Sequence, residues 1–147
     1  GGELTETKLQ QLDFWTKFVA YARSKNSSLP FGSAPRPQHW YNVSIGSSDA
    51  HVELTVDTRK NAIRCEIYIS RNKDLFNFLR ERQEDIEKEL GEKAKWIEAA
   101  VASRIVIEKE IPNIFSQSQA VEHYSWLYEK TLLFQRVFSR HFREFKK

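Results

Sequence analysis

Three consecutive segments of this chain alternate polar and apolar residues with a period of two. They span residues 40–45, 51–58 and 62–70, and two short turn-forming segments, 46–49 and 59–61, separate them. Successive side chains of a β-strand point to opposite faces, so this alternation predicts an antiparallel meander with one buried face and one polar face. The side chains predicted on the polar face are those of Trp40, Asn42, Ser44, His51, Glu53, Thr55, Asp57, Arg64, Glu66 and Tyr68.

Helices are predicted before and after the meander, because apolar residues recur there every three or four positions. A loop with three prolines, residues 25–37, separates the first helix from the meander. The element order α-β-β-β-α-β-β-α predicts an α+β fold, in which helices pack on one face of an antiparallel sheet. A single domain over residues 3–147 is expected, with Gly1 and Gly2 interpreted as a cloning remnant. The remaining predicted elements are helices at 4–24, at 72–90 and from 116 or 118 onward, and strands at 95–98 and 103–111.

The net charge of the chain is small and unevenly distributed. Basic residues exceed acidic ones by three over 147 residues, and the last twelve residues, 136–147, hold five basic residues and one acidic residue. No apolar run approaches the roughly 20 residues of a membrane helix. The start of the chain has no signal-peptide pattern, and Cys65 is the single cysteine. Together these features predict a cytoplasmic protein in a reducing compartment.

Motifs that carry familiar catalytic chemistry are missing from the sequence. The four histidines, His39, His51, His123 and His141, have no zinc-ligand spacing, and no cysteine cluster accompanies them. Cys65 falls on the buried face of a predicted strand, where a free cysteine packs as a small hydrophobic residue. No GxSxG, P-loop or GxGxxG motif is present. The sequence therefore predicts no catalytic residues, no metal ligands and no cofactor.

One pair of carboxylates leaves an enzymatic alternative open. Nucleases of the PD-(D/E)XK class hold Mg²⁺ between carboxylates on consecutive strands, with a lysine two residues after the second carboxylate. Asp57 and Glu66 lie on consecutive predicted strands, and Arg64 would supply the cation. Tyr68 stands where the motif has lysine, and the short turn predicts that Asp57 lies opposite a residue near Ile63 rather than Glu66. A divergent Mg²⁺-dependent nuclease is the alternative to a non-catalytic protein.

The polar sheet face carries the leading functional hypothesis, which is a binding surface. Basic residues beside aromatic rings suit the phosphates and bases of nucleic acid, although Glu53 and Glu66 on the same face oppose phosphate binding. Trp, Tyr and Arg are also common anchors of protein interfaces. The predicted partner is DNA or a nuclease-containing protein, and a structural oligomerisation domain is a third alternative. The predicted binding residues are Arg36, His39, Trp40, His51, Arg64 and Tyr68, and a secondary basic strip consists of Arg136, Arg140, Arg143 and Lys146.

Several short blocks of sequence are more specific than the composition. The most specific block runs from Pro37 to Tyr41, reads Pro-Gln-His-Trp-Tyr, and directly follows Arg36, which belongs to the same matching segment. The others are Leu4-Thr5-Glu6, Leu12-Asp13-Phe14-Trp15, Ser44-Ile45-Gly46, Glu66-Ile67-Tyr68-Ile69 and Ala102-Ser103-Arg104-Ile105. Together they resemble a prokaryotic family of domains of unknown function, often found C-terminal to PD-(D/E)XK-like nuclease modules. The resemblance implies an accessory domain of a cytoplasmic DNA-transaction or defence protein, and it implies no catalytic residue.

Overall fold

Helices cover one face of a five-stranded antiparallel sheet in the computed structural model, which describes residues 4–147. The predicted α+β fold and the packing of its helices against the sheet are confirmed. The interpretation of Gly1 and Gly2 as a cloning remnant falls outside the described residues. The helices are α1 (Glu6–Ser24), α2 (Lys73–Glu81), α3 (Gln83–Leu90) and α4 (Ala120–Phe145), and the strands are β1 (Trp40–Val43), β2 (Ala50–Asp57), β3 (Ala62–Ser70), β4 (Lys95–Ile97) and β5 (Ala102–Glu110).

The strands are arranged in the order β1-β2-β3-β5-β4, and every neighbouring pair is antiparallel. The first three strands form the predicted meander, and β3 has the predicted bounds. The chain then leaves the sheet through α2 and α3, returns at the far edge as β4, and adds β5 between β4 and β3. This placement brings outward side chains of β5 beside those of β3, as in the pair Arg64 and Glu108.

The core lies between the apolar sheet face and α4, which contacts β2 and β3. Leu54 and Ile67 on the strands are fully buried, as are Phe134 and Phe138 on the helix. Burial of apolar surface stabilises the fold by about 25 cal/mol per Å². Cys65 is buried in the same layer, as its position on the apolar face predicts. Because helices cover this face, the polar face of the sheet is the one that remains open.

The predicted helix at 72–90 is in fact two helices, and this prediction was wrong. Arg82 leaves the helical conformation between α2 and α3, and its guanidinium lies 3.6 Å from the centroid of the Phe78 ring. Its Nη1 also donates a hydrogen bond to the Phe78 carbonyl. Neither proline nor glycine marks the break, so no sequence signal predicts it. The other predicted boundaries differ from the observed ones by at most four residues.

The longest helix is α4, with 26 residues, and charged side chains recur along it. No helix among residues 4–147 combines the length and the apolar character that crossing a membrane requires.

Gly91 ends α3 in a conformation that other residues disfavour. Its φ is 81°, in the left-handed region, and its amide donates to the carbonyls of Glu87 and Lys88. Gly91→Ala is expected to lower the free energy of unfolding by about 1 kcal/mol, because alanine is strained at this φ. Urea denaturation measures the change. Gly32→Ala is the control, since an added Cβ meets open space at both glycines and only Gly91 has a positive φ; an equal loss at Gly32 would contradict the explanation.

Candidate functional site

The open face of the sheet forms the floor of a groove of about 810 Å³. Its lining comes from β2, β3, β4 and β5 and from the turn between β2 and β3, together with Thr7 and Gln11 of α1 and His39 from the loop before β1. Side chains that lie opposite each other on neighbouring strands share a face, so the outward residues form cross-strand rows. The first row is Trp40-Thr55-Arg64-Glu108, the middle row is Asn42-Glu53-Glu66-Val106-Lys95, and the third row is His51-Tyr68-Arg104-Ile97.

A chain of ion pairs neutralises the charges around Arg64. Its Nη2 lies 3.0 Å from Asp57 Oδ2 and 3.2 Å from Glu108 Oε1, and Lys95 Nζ lies 3.0 Å from Glu108 Oε2. The hydrogen bond from Lys95, helped by the charge of Arg64, lowers the pKa of the Glu108 carboxyl, which is therefore ionised at neutral pH. The guanidinium of Arg64 is thus already bound to two carboxylates, and this makes it a weak anchor for a phosphate.

Asp57 also holds the turn between β2 and β3. Its Oδ1 accepts hydrogen bonds from the backbone amides of Arg59 and Lys60, at 3.0 and 3.1 Å. Aspartate commonly fixes turns in this way. Both basic residues are exposed, and both line the groove. Asp57 therefore positions two cations at one end of the groove.

Glu66 is only 1% exposed, although it lies on the open face of the sheet. It is directly opposite Glu53, and Arg104 Nη1 lies 3.3 Å from its Oε2. Burial and a hydrogen bond with Glu53 raise the pKa of the Glu66 carboxyl to about 8, and the charge of Arg104 offsets only part of this rise. Glu66 is therefore mostly protonated at neutral pH and donates a hydrogen bond to Glu53.

Three buried polar atoms without a hydrogen-bond partner surround Glu53. They are Asn42 Oδ1 on the neighbouring strand and, two residues to either side on β2, His51 Nε2 and Thr55 Oγ1. They make up half of the six such side-chain atoms found in the described part of the chain. Burial also lowers the pKa of His51, so its ring is neutral at neutral pH. Buried polar groups are rarely left unpaired, so the cluster is an unusual feature of this part of the sheet.

Two aromatic rings stack in the third row. The ring centroids of His51 and Tyr68 are 5.0 Å apart, and the rings are inclined by 25°. Both side chains are half-buried, as is that of Trp40 in the first row. A pair of stacked planar rings on an open sheet is a surface on which a nucleobase can stack.

Four of the predicted binding residues share the open face, and a fifth lies beside it. His39 lines the groove from the loop before β1. Arg36, in the same loop, is exposed but is not part of the groove lining, and neither are Trp40, His51 and Tyr68. These positions agree with the predicted alternation, while the role of the residues in binding stays a prediction. The four on the sheet are Trp40, His51, Arg64 and Tyr68.

The predicted basic strip does not continue the groove. Its residues lie at the C-terminal end of α4, which packs against the opposite face of the sheet. There Arg140 pairs with Glu89 of α3, and the Phe145 and Phe78 rings are 5.2 Å apart. The strip and the groove are therefore two separate surfaces. The residues of the strip, all exposed, are Arg136, Arg140, Arg143 and Lys146.

Asp57 and Glu66 do not form the carboxylate pair that the nuclease alternative requires. Asp57 is paired with Ala62, next to the predicted Ile63, whereas Glu66 is paired with Glu53. Glu53 and Asp57 are four residues apart on β2, which is about 14 Å at about 3.4 Å per residue. Two carboxylates at that separation do not share one metal ion. Within residues 4–147, no group of three or more His, Cys, Asp or Glu side chains is arranged to hold a metal ion.

Sequence reasoning missed several side chains that complete the groove. Lys95, Arg104 and Glu108 lie on β4 and β5, whose neighbours in the sheet do not follow from local pattern. The pairing of Glu53 with Glu66 could have been predicted from the sequence. In a tight hairpin the turn fixes the register, so counting back from the turn between β2 and β3 pairs these two residues.

The fold and the groove define a small α+β domain with one helix-covered sheet face and one open, polar sheet face. A family model described as "Domain of unknown function (DUF4268)" matches residues 10–142. The chain therefore belongs to the DUF4268 family, in agreement with the resemblance to a domain of unknown function. No curated protein and no solved structure matches the chain.

Proposed function

We propose that this domain is a non-catalytic binding module that holds single-stranded nucleic acid in the groove on its open sheet face. The observation that supports the proposal is a combination on and beside one face: the stacked rings of His51 and Tyr68, unpartnered polar atoms around Glu53, and the exposed cations of Arg59 and Lys60 in the adjoining turn. Phosphates bind to cations, and bases bind to flat rings and polar groups. The groove supplies the cations, and the rings of His51 and Tyr68 lie on the same sheet face, outside the groove lining.

The charges in the groove favour an anionic ligand. Five basic and four acidic side chains line it. Glu66 carries little negative charge at neutral pH because its pKa is about 8. Two of the other carboxylates are already in ion pairs with basic residues. Arg59 and Lys60 are exposed, so a phosphate reaches them without the cost of desolvating a buried ion. The groove is thus net positive around one central acidic group, Glu53.

The architecture agrees with a single-stranded rather than a double-stranded ligand. Open antiparallel sheets with helices behind them are used to splay single strands, whose bases stack on aromatic side chains of the sheet. The rings of His51 and Tyr68 are accessible in this way only to a base that has left its duplex stack. Because a fold alone does not define a function, the proposal rests on these side chains.

The proposal extends to the setting in which the domain works. The sequence blocks that resemble the domain family support an accessory role in a cytoplasmic, prokaryotic DNA-transaction or defence protein. A nuclease-containing protein is the partner that this setting implies. The contact with nucleic acid is independent of that partner and is tested on the isolated chain.

Removal of the two exposed cations is expected to weaken the binding of single-stranded DNA. We expect the double variant Arg59→Ala with Lys60→Ala to raise the Kd for a labelled DNA of about 12 nucleotides by about tenfold at moderate salt. The slope of log K against log salt should also become shallower by about 1 to 2, because fewer counterions are released. Fluorescence anisotropy at several salt concentrations measures both quantities.

The matched control is Arg143→Ala with Lys146→Ala, which removes the same charge from the basic strip on α4. It should leave the Kd within about twofold of the wild-type value, since the strip lies behind the sheet. Equal losses in both double variants would contradict the assignment to the groove. Absence of binding at low salt would contradict the nucleic-acid function, and Mg²⁺-dependent cleavage would contradict a non-catalytic role. Self-association that Tyr68→Ala abolishes would instead support an oligomerisation domain.

A further inference from the structure

The middle row of the open face forms part of the groove, and the proposed contacts with phosphates and stacked bases do not involve it. Glu53 lies at its centre, between Asn42 on β1 and Glu66 on β3. Thr55 lines the groove beside Glu53, is only 6% exposed, and its Oγ1 has no hydrogen-bond partner. Asn42 Oδ1 is also buried without a partner. Two unpaired oxygens beside a carboxylate point to a ligand that brings hydrogen-bond donors.

We propose that this part of the groove selects a guanine base of single-stranded nucleic acid, with the Glu53 carboxylate accepting hydrogen bonds from the ring N1–H and the exocyclic N2 amino group. The inference rests on the proposed function and adds the base that the groove prefers. Asn42 Oδ1 and Thr55 Oγ1 are buried without a partner, so they would meet the base only after the side chains that cover them move.

Guanine is the nucleobase with two adjacent donors on its Watson–Crick edge. Adenine and cytosine place a ring-nitrogen acceptor beside their amino group, and its lone pair repels a carboxylate. Uracil and thymine offer one donor between two carbonyl oxygens. A carboxylate that meets two donors forms a bidentate, charge-assisted contact, which is stronger than a neutral hydrogen bond.

Glu66 prepares Glu53 for this contact. It lies directly opposite Glu53, is nearly fully buried, and is held on its other side by Arg104, 3.3 Å from its Oε2. Its proton leaves the pair with a single negative charge, so the pair attracts base donors with less repulsion of nearby phosphates than two charges would cause. An arginine side chain of a protein also has adjacent donors, but the five basic residues that line the groove repel a cationic segment.

The test compares short labelled oligothymidylates that carry one central guanine, inosine or adenine. Inosine keeps the N1–H and O6 of guanine but lacks the N2 amino group. At one low salt concentration, the wild-type protein should bind the guanine oligonucleotide about tenfold more tightly than the other two. A tenfold change in Kd is about what the loss of one hydrogen bond to a charged group causes. This comparison uses the unmodified protein and therefore does not depend on the folding of a variant.

Glu53→Gln keeps the side-chain size but presents one acceptor and one donor, so it should bind the three oligonucleotides about equally. Glu129→Gln removes a charge from an exposed position on α4 and should keep the preference for guanine. Equal binding of guanine and inosine by the wild-type protein would overturn the guanine assignment alone. No binding of any oligonucleotide would overturn the proposed function as well. Binding of an arginine-rich peptide through Glu53, without oligonucleotide binding, would overturn the assignment in favour of a protein partner.

Discussion

Trp15→Ala is expected to lower the free energy of unfolding by about 3 to 5 kcal/mol. The Trp15 ring is fully buried, stacks on Tyr41 at 5.7 Å between centroids, and meets the edge of Phe18 at 5.9 Å. Its Nε1 donates a 2.8 Å hydrogen bond to the carbonyl of Gln38. Truncation therefore leaves a cavity between α1 and the sheet, and it also removes the bond that ties down the loop before β1.

Urea denaturation followed by circular dichroism measures the loss of stability in Trp15→Ala. Trp15→Phe keeps part of the volume but not the donor, so its stability should lie between those of wild type and Trp15→Ala. Leu9→Ala, at a position of α1 that is 52% exposed, is the control. It should change the stability by no more than about 0.5 kcal/mol. A loss in Trp15→Ala as small as that in Leu9→Ala would contradict the packing of α1 against the sheet.

The elements defined by local pattern were predictable from the sequence. In β3, Cys65 and three isoleucines alternate with other residues along the whole strand, so its bounds were predicted correctly. The break between α2 and α3 was not predictable. Arg82 carries no backbone signal within a charged helix, and its contact with the Phe78 ring exists only once the chain is folded.

The order of the strands was not predictable either. Local pattern identifies β4 and β5 as strands, but it does not show that β5 pairs with β3 while β4 takes the edge. That arrangement places Glu108 beside Arg64 and brings Arg104 to Glu66. These side-chain contacts of the groove therefore follow from tertiary structure and not from any spacing in the sequence.

The sequence predicted which face of the sheet carries the candidate site, but it did not predict the protonation of the side chains there. The alternation correctly placed Trp40, His51 and Tyr68 on the open face. Glu53 and Glu66 were expected to oppose phosphate binding as two full charges. Burial decides the protonation of Glu66, and burial of a residue on an open face depends on the side chains packed around it. A sequence does not show that environment.

A rise in pH is expected to destabilise the protein through Glu66. Burial and the hydrogen bond with Glu53 raise the pKa of Glu66 from its ordinary 4.5 to about 8. Between these values the folded protein keeps a proton that the unfolded chain has released, so increasing pH favours unfolding. The contribution of Glu66 to the free energy of unfolding should fall by up to about 1.4 kcal/mol per pH unit, or roughly 2 kcal/mol between about pH 5.5 and about pH 7.5.

Glu66→Gln isolates this effect, because glutamine keeps the shape of the side chain and does not titrate. Urea denaturation at several pH values between 5.5 and 7.5 should show the wild type losing stability relative to Glu66→Gln as the pH rises. Contributions common to both proteins cancel. Burial lowers the pKa of His51 and the charge of Glu66 partly offsets this, so the His51 contribution increases with pH and works against the expected trend.

Glu129→Gln, an exposed substitution on α4, is the control and should follow the wild-type pH profile. A stability difference between wild type and Glu66→Gln that does not change with pH would mean that Glu66 is ionised in the folded protein at neutral pH. The groove would then carry a second central negative charge beside Glu53, and the electrostatic argument for an anionic ligand would no longer hold.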